Sequence, residues 1–187
     1  MNAIKTYTGI MFDPLKPNID LIRIEDIAHA LAMLCRANGH FKSFYSVGQH
    51  CINCAEEAAA RGYSARVQLG CLLHDGSEAY LSDVTRPVKK ALPKYLEIEE
   101  PLQNVIWNKW LNDALTTEEI KQIFEIDDMM LLNEFMFLMD TALADNIPVL
   151  TGNVQFVFSG FKETEEAYLS KFEDLCIKLC CGVGENE

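Results

Sequence analysis

The sequence predicts an all-α fold, a single-domain helical bundle with a small hairpin or loop at its N-terminus. Three observations carry this reading. Apolar residues recur at helical spacing, as at Ile24, Ile27, Ala28, Leu31, Ala32 and Leu34. Helix-opening signals precede several such stretches: Ser46 with Gln49, Ser64, and Thr116 with Glu119. Beyond the N-terminal segment, only residues 154–158 form a strand-like run. At 187 residues, 49% hydrophobic and 24% charged, the chain suits one domain spanning 1–187, with its core at about 20–181.

Taken in order, residues 5–20 carry Gly9, Pro14 and Pro17 among short β-prone pieces around Tyr7 and Met11, so a hairpin or loop is expected. Residues 24–36 form the first helix, with Glu25 and Asp26 in the turn where the helix dipole favours acids, and Asn38-Gly39 beyond its end. Ser46 and Gln49 form a capping box that opens a helix running to about Arg61, placing His50 in its first turns. The helix capped by Ser64 is nearly apolar all round, as a central helix would be, and ends at His74 and Asp75. A short helix at 77–80 and a loop marked by Pro87 follow. Residues 95–111 are amphipathic despite Pro101, residues 117–140 make a long capped helix, and 162–181 the last one.

Formal charge is −12, and no run of Lys or Arg overrides it, so long nucleic acid is excluded as the expected partner. The most apolar stretch, 131–150, is broken by Glu134, Asp140, Asp145 and Pro148, which argues against a membrane span. With no signal-peptide pattern at the N-terminus, a cytoplasmic location is expected. The seven cysteines follow no secreted framework and read as reduced thiols. Cys51 and Cys54 make a C-x-x-C, yet they lie within one helix and lack a second nearby pair. Helix packing is therefore preferred to a redox or zinc role.

His74 and Asp75 end a segment otherwise built for a core. Burying an unpaired carboxylate beside an imidazole is strongly unfavourable, and a divalent cation is one of the few ways to offset it. Asp127 shares a helical stripe with Ile120, Ile123, Phe124, Leu131 and Glu134, whereas Asp128 is turned about 100° away. His50 lies among small and apolar residues on its capped helix. Two imidazoles and two carboxylates form an N/O ligand set suited to Mn, Fe, Co, Ni or Zn.

The ordered pattern His50, His74-Asp75, Asp127 resembles the H…HD…D signature of HD-domain phosphohydrolases. The stretch from Leu73 to Lys89, LHDGSEAYLSDVTRPVK, is similar to their nucleotidase branch, which includes bacterial 5′-deoxynucleotidases and a deoxyadenosine triphosphate triphosphohydrolase. Further matches at 24–31, Cys35-Arg36, 38–40 and 44–47 extend the resemblance over about residues 6–140; Ala37 departs from it, where relatives commonly carry an aromatic.

The resemblance implies one divalent metal (Co, Mn, Zn, Ni, Fe or Mg) held by His50, His74, Asp75 and Asp127. It also implies Glu78 as general acid/base, Asp83 as the residue that positions or deprotonates the attacking water, and Arg36, His40 and Lys89 as phosphate contacts. The expected activity is cleavage of the 5′-phosphate ester of a small (deoxy)nucleotide, most simply a 5′-deoxynucleotidase acting on monophosphates. Triphosphohydrolysis of deoxynucleoside triphosphates, and a catalytically silent metal- or nucleotide-binding module, are the alternatives. A homo-oligomer, a dimer first, is expected from the many apolar residues, Trp107, Trp110, Met130, Phe135 and Phe137 among them.

Overall fold

The computed structural model describes residues 3–182; the polar tail beyond lies outside them. The chain opens with two short strands, β1 (Ile4–Lys5) and β2 (Met11–Phe12), paired antiparallel with Ile4 opposite Phe12. Tyr7 lies in the turn between them, where Gly9 takes φ 88°. Asp26 anchors this hairpin by accepting from the Thr8 backbone N–H at 2.7 Å and from its hydroxyl at 3.0 Å.

Asp26 belongs to α1 (Ile24–Met33), which ends earlier than the apolar spacing suggests. Leu34 turns extended, Cys35 bridges to Ser46, and Arg36–Gly39 form a 3-10 turn with Ala37 and Asn38 at φ 50° and 51°. These positive φ values cost energy for residues with a Cβ, so the turn is held by its surroundings.

Both halves of the predicted capping box are made at the start of α2 (Val47–Ala60), and Ser64 caps α3 (Ala65–Leu73). Then come α4 (Glu78–Leu81), α5 (Arg86–Lys89), α6 (Pro93–Leu111), α7 (Thr117–Met139) and α8 (Phe161–Gly182). The Thr116–Glu119 capping box is likewise formed. As its all-round apolar sequence predicts, α3 is central, packed by α2, α6, α7 and α8, with Leu69, Leu72 and Leu73 fully buried. At Gly48 an added Cβ would stand 3.1 Å from the Ala32 backbone nitrogen, so this glycine lets α2 pass close to α1.

The structure corrects three local expectations. Residues around Pro87 form a helical turn, with proline in the first turn, where its missing N–H costs nothing. Residues 154–158 form no strand; α2 side chains take their carbonyls instead, Asn53 donating to Gln155 O at 2.9 Å and Gln49 to Val157 O at 2.9 Å. Trp107 and Met130, counted as surplus apolar surface, are core residues, whereas Phe137 is 63% exposed. The cysteines within the described residues are free thiols, and no described helix is long and apolar enough to cross a membrane.

Candidate functional site

The capping box fixes where α2 begins, and His50 falls in its first turn, facing α3 and α7. His74 caps the C-terminus of α3, and Asp75 follows where the chain leaves the helix. Gln103 on α6 braces that corner, accepting from Ser77 N–H at 3.0 Å and donating to Leu73 O at 2.8 Å. Asp127 comes from the middle of α7. Three separate segments therefore bring four side chains to one point.

The distances are short. His50 Nε2 lies 3.2 Å from His74 Nε2, 3.1 Å from Asp127 Oδ1 and 3.8 Å from Asp75 Oδ2. His74 Nε2 lies 3.4 Å from Asp75 Oδ2 and 3.7 Å from Asp127 Oδ1. The outer imidazole nitrogens are committed elsewhere: His50 Nδ1 meets Glu134 Oε1 at 2.6 Å, and His74 Nδ1 meets the Cys71 carbonyl at 2.7 Å. A carbonyl only accepts, so His74 Nδ1 carries the proton and its Nε2 lone pair faces inward. The Glu134 carboxylate assigns the same tautomer to His50.

Charge is balanced within this cluster. Burial opposes ionisation of Asp127, yet the adjacent His50 and His74 rings outweigh it and hold its pKa well below the usual carboxylate range. Asp75 is likewise lowered, against burial, by His74 and Arg36. Burial and Arg36 disfavour charge on His50, but Glu134 and Asp127 prevail and raise it. The site thus attracts positive charge at the point between the two Nε2 atoms.

Cysteines surround the histidines. His50, Cys54 and His74 form one group that could hold a metal ion, and Cys51, His74 and Asp75 another. Burial pushes the Cys51 thiol up to about 11 and the Cys54 thiol well above its ordinary value.

His74, Asp75 and Asp127 line a cavity of about 970 Å³, with His50 fully buried beside them, and the lining also includes Arg36, Glu78, Asp83 and Lys89. Glu78, on α4, is 3% exposed; one oxygen accepts from Lys89 at 3.1 Å and the other has no hydrogen-bond partner. Burial, then Asp75 and Asp83, push its pKa well above the ordinary value, which favours the protonated acid. Asp83 is also raised, by burial and Asp75 against the pull of Arg36. Arg36 donates to Glu134 at 3.0 Å and to Asp75 at 3.2 Å. Lys89 also pairs with Glu99 at 2.6 Å.

His40 is the exception among the expected site residues. It caps the end of the 3-10 turn, is exposed, and does not line the cavity, because the turn aims Arg36 inward and His40 away.

Two residues escaped the sequence reading. Arg86 meets Asp127 Oδ2 at 2.6 Å and also pairs with Asp128, so it occupies the Asp127 oxygen opposite the imidazoles. Glu134 lies on the same stripe as Asp127, two turns on, and is fully buried. An acid on an apolar stripe was the available signal; nothing local named its partners.

No family model matches the chain. It is 39% identical over 110 residues to the uncharacterized protein YfdR of Escherichia coli (strain K12), covering 59% of each chain. It is 36% identical over 127 residues to an uncharacterized protein of Rhodobacter capsulatus, covering 65% of this chain and 64% of that one. The matches thus span about three fifths of the curated relatives' length.

Proposed function

We propose that this protein is a metal-dependent phosphohydrolase of the HD-domain kind that releases phosphate from deoxynucleoside monophosphates. The observation carrying this reading is the convergence of His50 Nε2, His74 Nε2, Asp75 Oδ2 and Asp127 Oδ1 beside a buried Glu78 whose pKa is raised.

The donor set fits a divalent cation. Bonds of about 2.1 Å meeting at roughly 90–109° put donor atoms about 3.0–3.4 Å apart; His50–Asp127 at 3.1 Å, the two Nε2 atoms at 3.2 Å and His74–Asp75 at 3.4 Å lie in that range, and His74–Asp127 at 3.7 Å and His50–Asp75 at 3.8 Å lie just beyond it. Two imidazole nitrogens 3.2 Å apart cannot both point protons at each other, whereas one cation satisfies both lone pairs. The carboxylates suit this role better than the thiols. Cys54 Sγ lies 3.6 Å from His50 Nε2 and 4.0 Å from Nδ1, nearly equidistant from the two, so it does not lie along the Nε2 lone pair. One ion of Co, Mn, Zn, Ni, Fe or Mg would therefore be held by His50, His74, Asp75 and Asp127.

When bound, that cation supplies Lewis acidity toward a phosphoryl oxygen and a water. The side chains do the rest. Arg36 holds its Nη edge toward Asp75 and Asp127, where a phosphate oxygen can accept from it, and Lys89 lines the same cavity beside Glu78. Asp83 orients the attacking water and takes its proton, and Glu78 delivers its own to the departing 5′ oxygen. Beyond Arg36 and Lys89, which take the one phosphate, the other Arg of the cavity lining, Arg86, is held by Asp127 and Asp128, which favours a monophosphate over a triphosphate.

The test is to reconstitute the protein with each metal, incubate it with a panel of ribo- and deoxynucleotides, and identify products by chromatography. Phosphate from deoxynucleoside monophosphates is expected. Triphosphate from deoxynucleoside triphosphates would replace this substrate, and no turnover with any metal would leave a binding module in its place.

A further inference from the structure

We propose that Glu134 is a positioning residue that ties the metal-facing imidazole of His50 to the phosphate-facing guanidinium of Arg36. The inference rests on the metal-centre reading above. Glu134 touches neither the cavity nor the point where the Nε2 atoms converge; its side chain is fully buried on α7, and each carboxylate oxygen serves a different partner. Oε1 accepts from His50 Nδ1 at 2.6 Å and Oε2 from Arg36 Nε at 3.0 Å.

Each bond fixes an orientation. With Nδ1–H donated to Glu134, His50 presents an unprotonated Nε2 inward, which is the form a cation needs. With Nε held by Glu134, the Arg36 guanidinium cannot rotate, and its Nη atoms are left 3.2 Å from Asp75 and 3.8 Å from Asp127. The other end of Arg36 is also held: its backbone N–H donates to Tyr45 O at 2.9 Å, ahead of the positive-φ pair Ala37 and Asn38. One carboxylate thus sets the relative placement of the groups on either side of a bound phosphoryl.

A purely structural role for a buried acid looks different, and Glu57 on α2 shows it. Glu57 is equally buried, but its oxygens accept from the Thr151 and Gly152 backbone N–H groups and from Arg61, all remote from the cavity.

Glu134→Gln separates these roles. The amide offers one acceptor and one donor end, while His50 Nδ1 and Arg36 Nε both donate, so one of them must face an NH₂ group. Mn²⁺ affinity, and the affinity of the Mn²⁺-loaded protein for inorganic phosphate, should be measured by calorimetry on wild type, Glu134→Gln and Glu57→Gln. Should Glu134→Gln not fold, Glu134→Asp keeps the charge but is one methylene too short to reach both partners. The Glu134 variant should lose about 10–100-fold in metal affinity and bind phosphate more weakly, while Glu57→Gln lowers Tm and leaves both affinities in place. Unchanged affinities in the Glu134 variant, or losses no larger than those of Glu57→Gln, would overturn the positioning role alone. A wild-type protein that binds no Mn²⁺ would overturn the metal-centre reading and this inference with it.

Discussion

At the scale of single residues, environment separates groups of the same chemistry. Asp127 and Glu78 are both buried carboxylates, yet two adjacent imidazoles lower the pKa of Asp127, whereas burial beside Asp75 and Asp83 raises that of Glu78. Glu78→Gln tests the second half of that contrast. Metal and nucleotide binding should stay near wild type while turnover falls by about 10²–10⁴-fold, since the amide keeps the shape and loses the proton. The same substitution has a pH signature. The folded protein holds the Glu78 proton more tightly than the unfolded chain, so its contribution is fully present below the ordinary carboxylate pKa. That contribution declines as pH rises through the raised folded value. Relative to wild type, Glu78→Gln should therefore gain Tm at neutral and alkaline pH compared with mildly acidic pH. A Tm difference that does not change with pH would show that Glu78 is not held protonated.

At the scale of elements, helix phase decides which acid reaches the site. On α7, Asp127 points at the two imidazoles, while Asp128, with 62% of its side chain exposed, pairs with Arg86 at the cavity rim. Asp127→Ala should abolish both metal binding and activity, and Asp128→Ala should retain both, as read by metal analysis of purified protein and by turnover. The reverse result would mean that the helix presents its other face to the centre. Phase is set upstream by the caps: the Thr116–Glu119 box fixes where α7 starts, as Ser46–Gln49 does for α2. Each cap contributes about 1 kcal/mol, and its larger effect is to fix where every later side chain in the helix points.

At the scale of the whole molecule, the apolar content divides between core and surface. Trp107 and Met130 fill the interior, but Phe137, Val149, Val157 and Phe158 remain more than 60% exposed, at 63%, 85%, 62% and 63%. Phe137 stacks on Phe156 with ring centroids 5.0 Å apart, continuing the apolar surface between the end of α7 and the 147–157 segment. Contiguous exposed apolar surface commonly becomes an interface. Self-association, a dimer first, is the expected outcome of light scattering across micromolar concentrations, and a constant monomeric mass would remove it.

The sequence by itself determined the long helices and what each would bring. Capping boxes, apolar periodicity and the all-round apolar α3 are local signals, because a cap or a helical face involves residues within a few positions of one another. They placed His50, His74, Asp75 and Asp127 on the elements where they stand and put α3 at the centre. No local signal says which of these side chains meet, and only the resemblance suggested it, since their separations in sequence are closed by packing α2, α3 and α7 together. For the same reason tertiary structure alone decided the partners of Arg36, Arg86 and Glu134. A side chain that bonds to a residue 98 positions away, as Arg36 does to Glu134, leaves no periodic mark near itself. It also decided against a strand at 154–158, because a strand exists only with a neighbouring strand to pair with, and here Gln49 and Asn53 of α2 took that place.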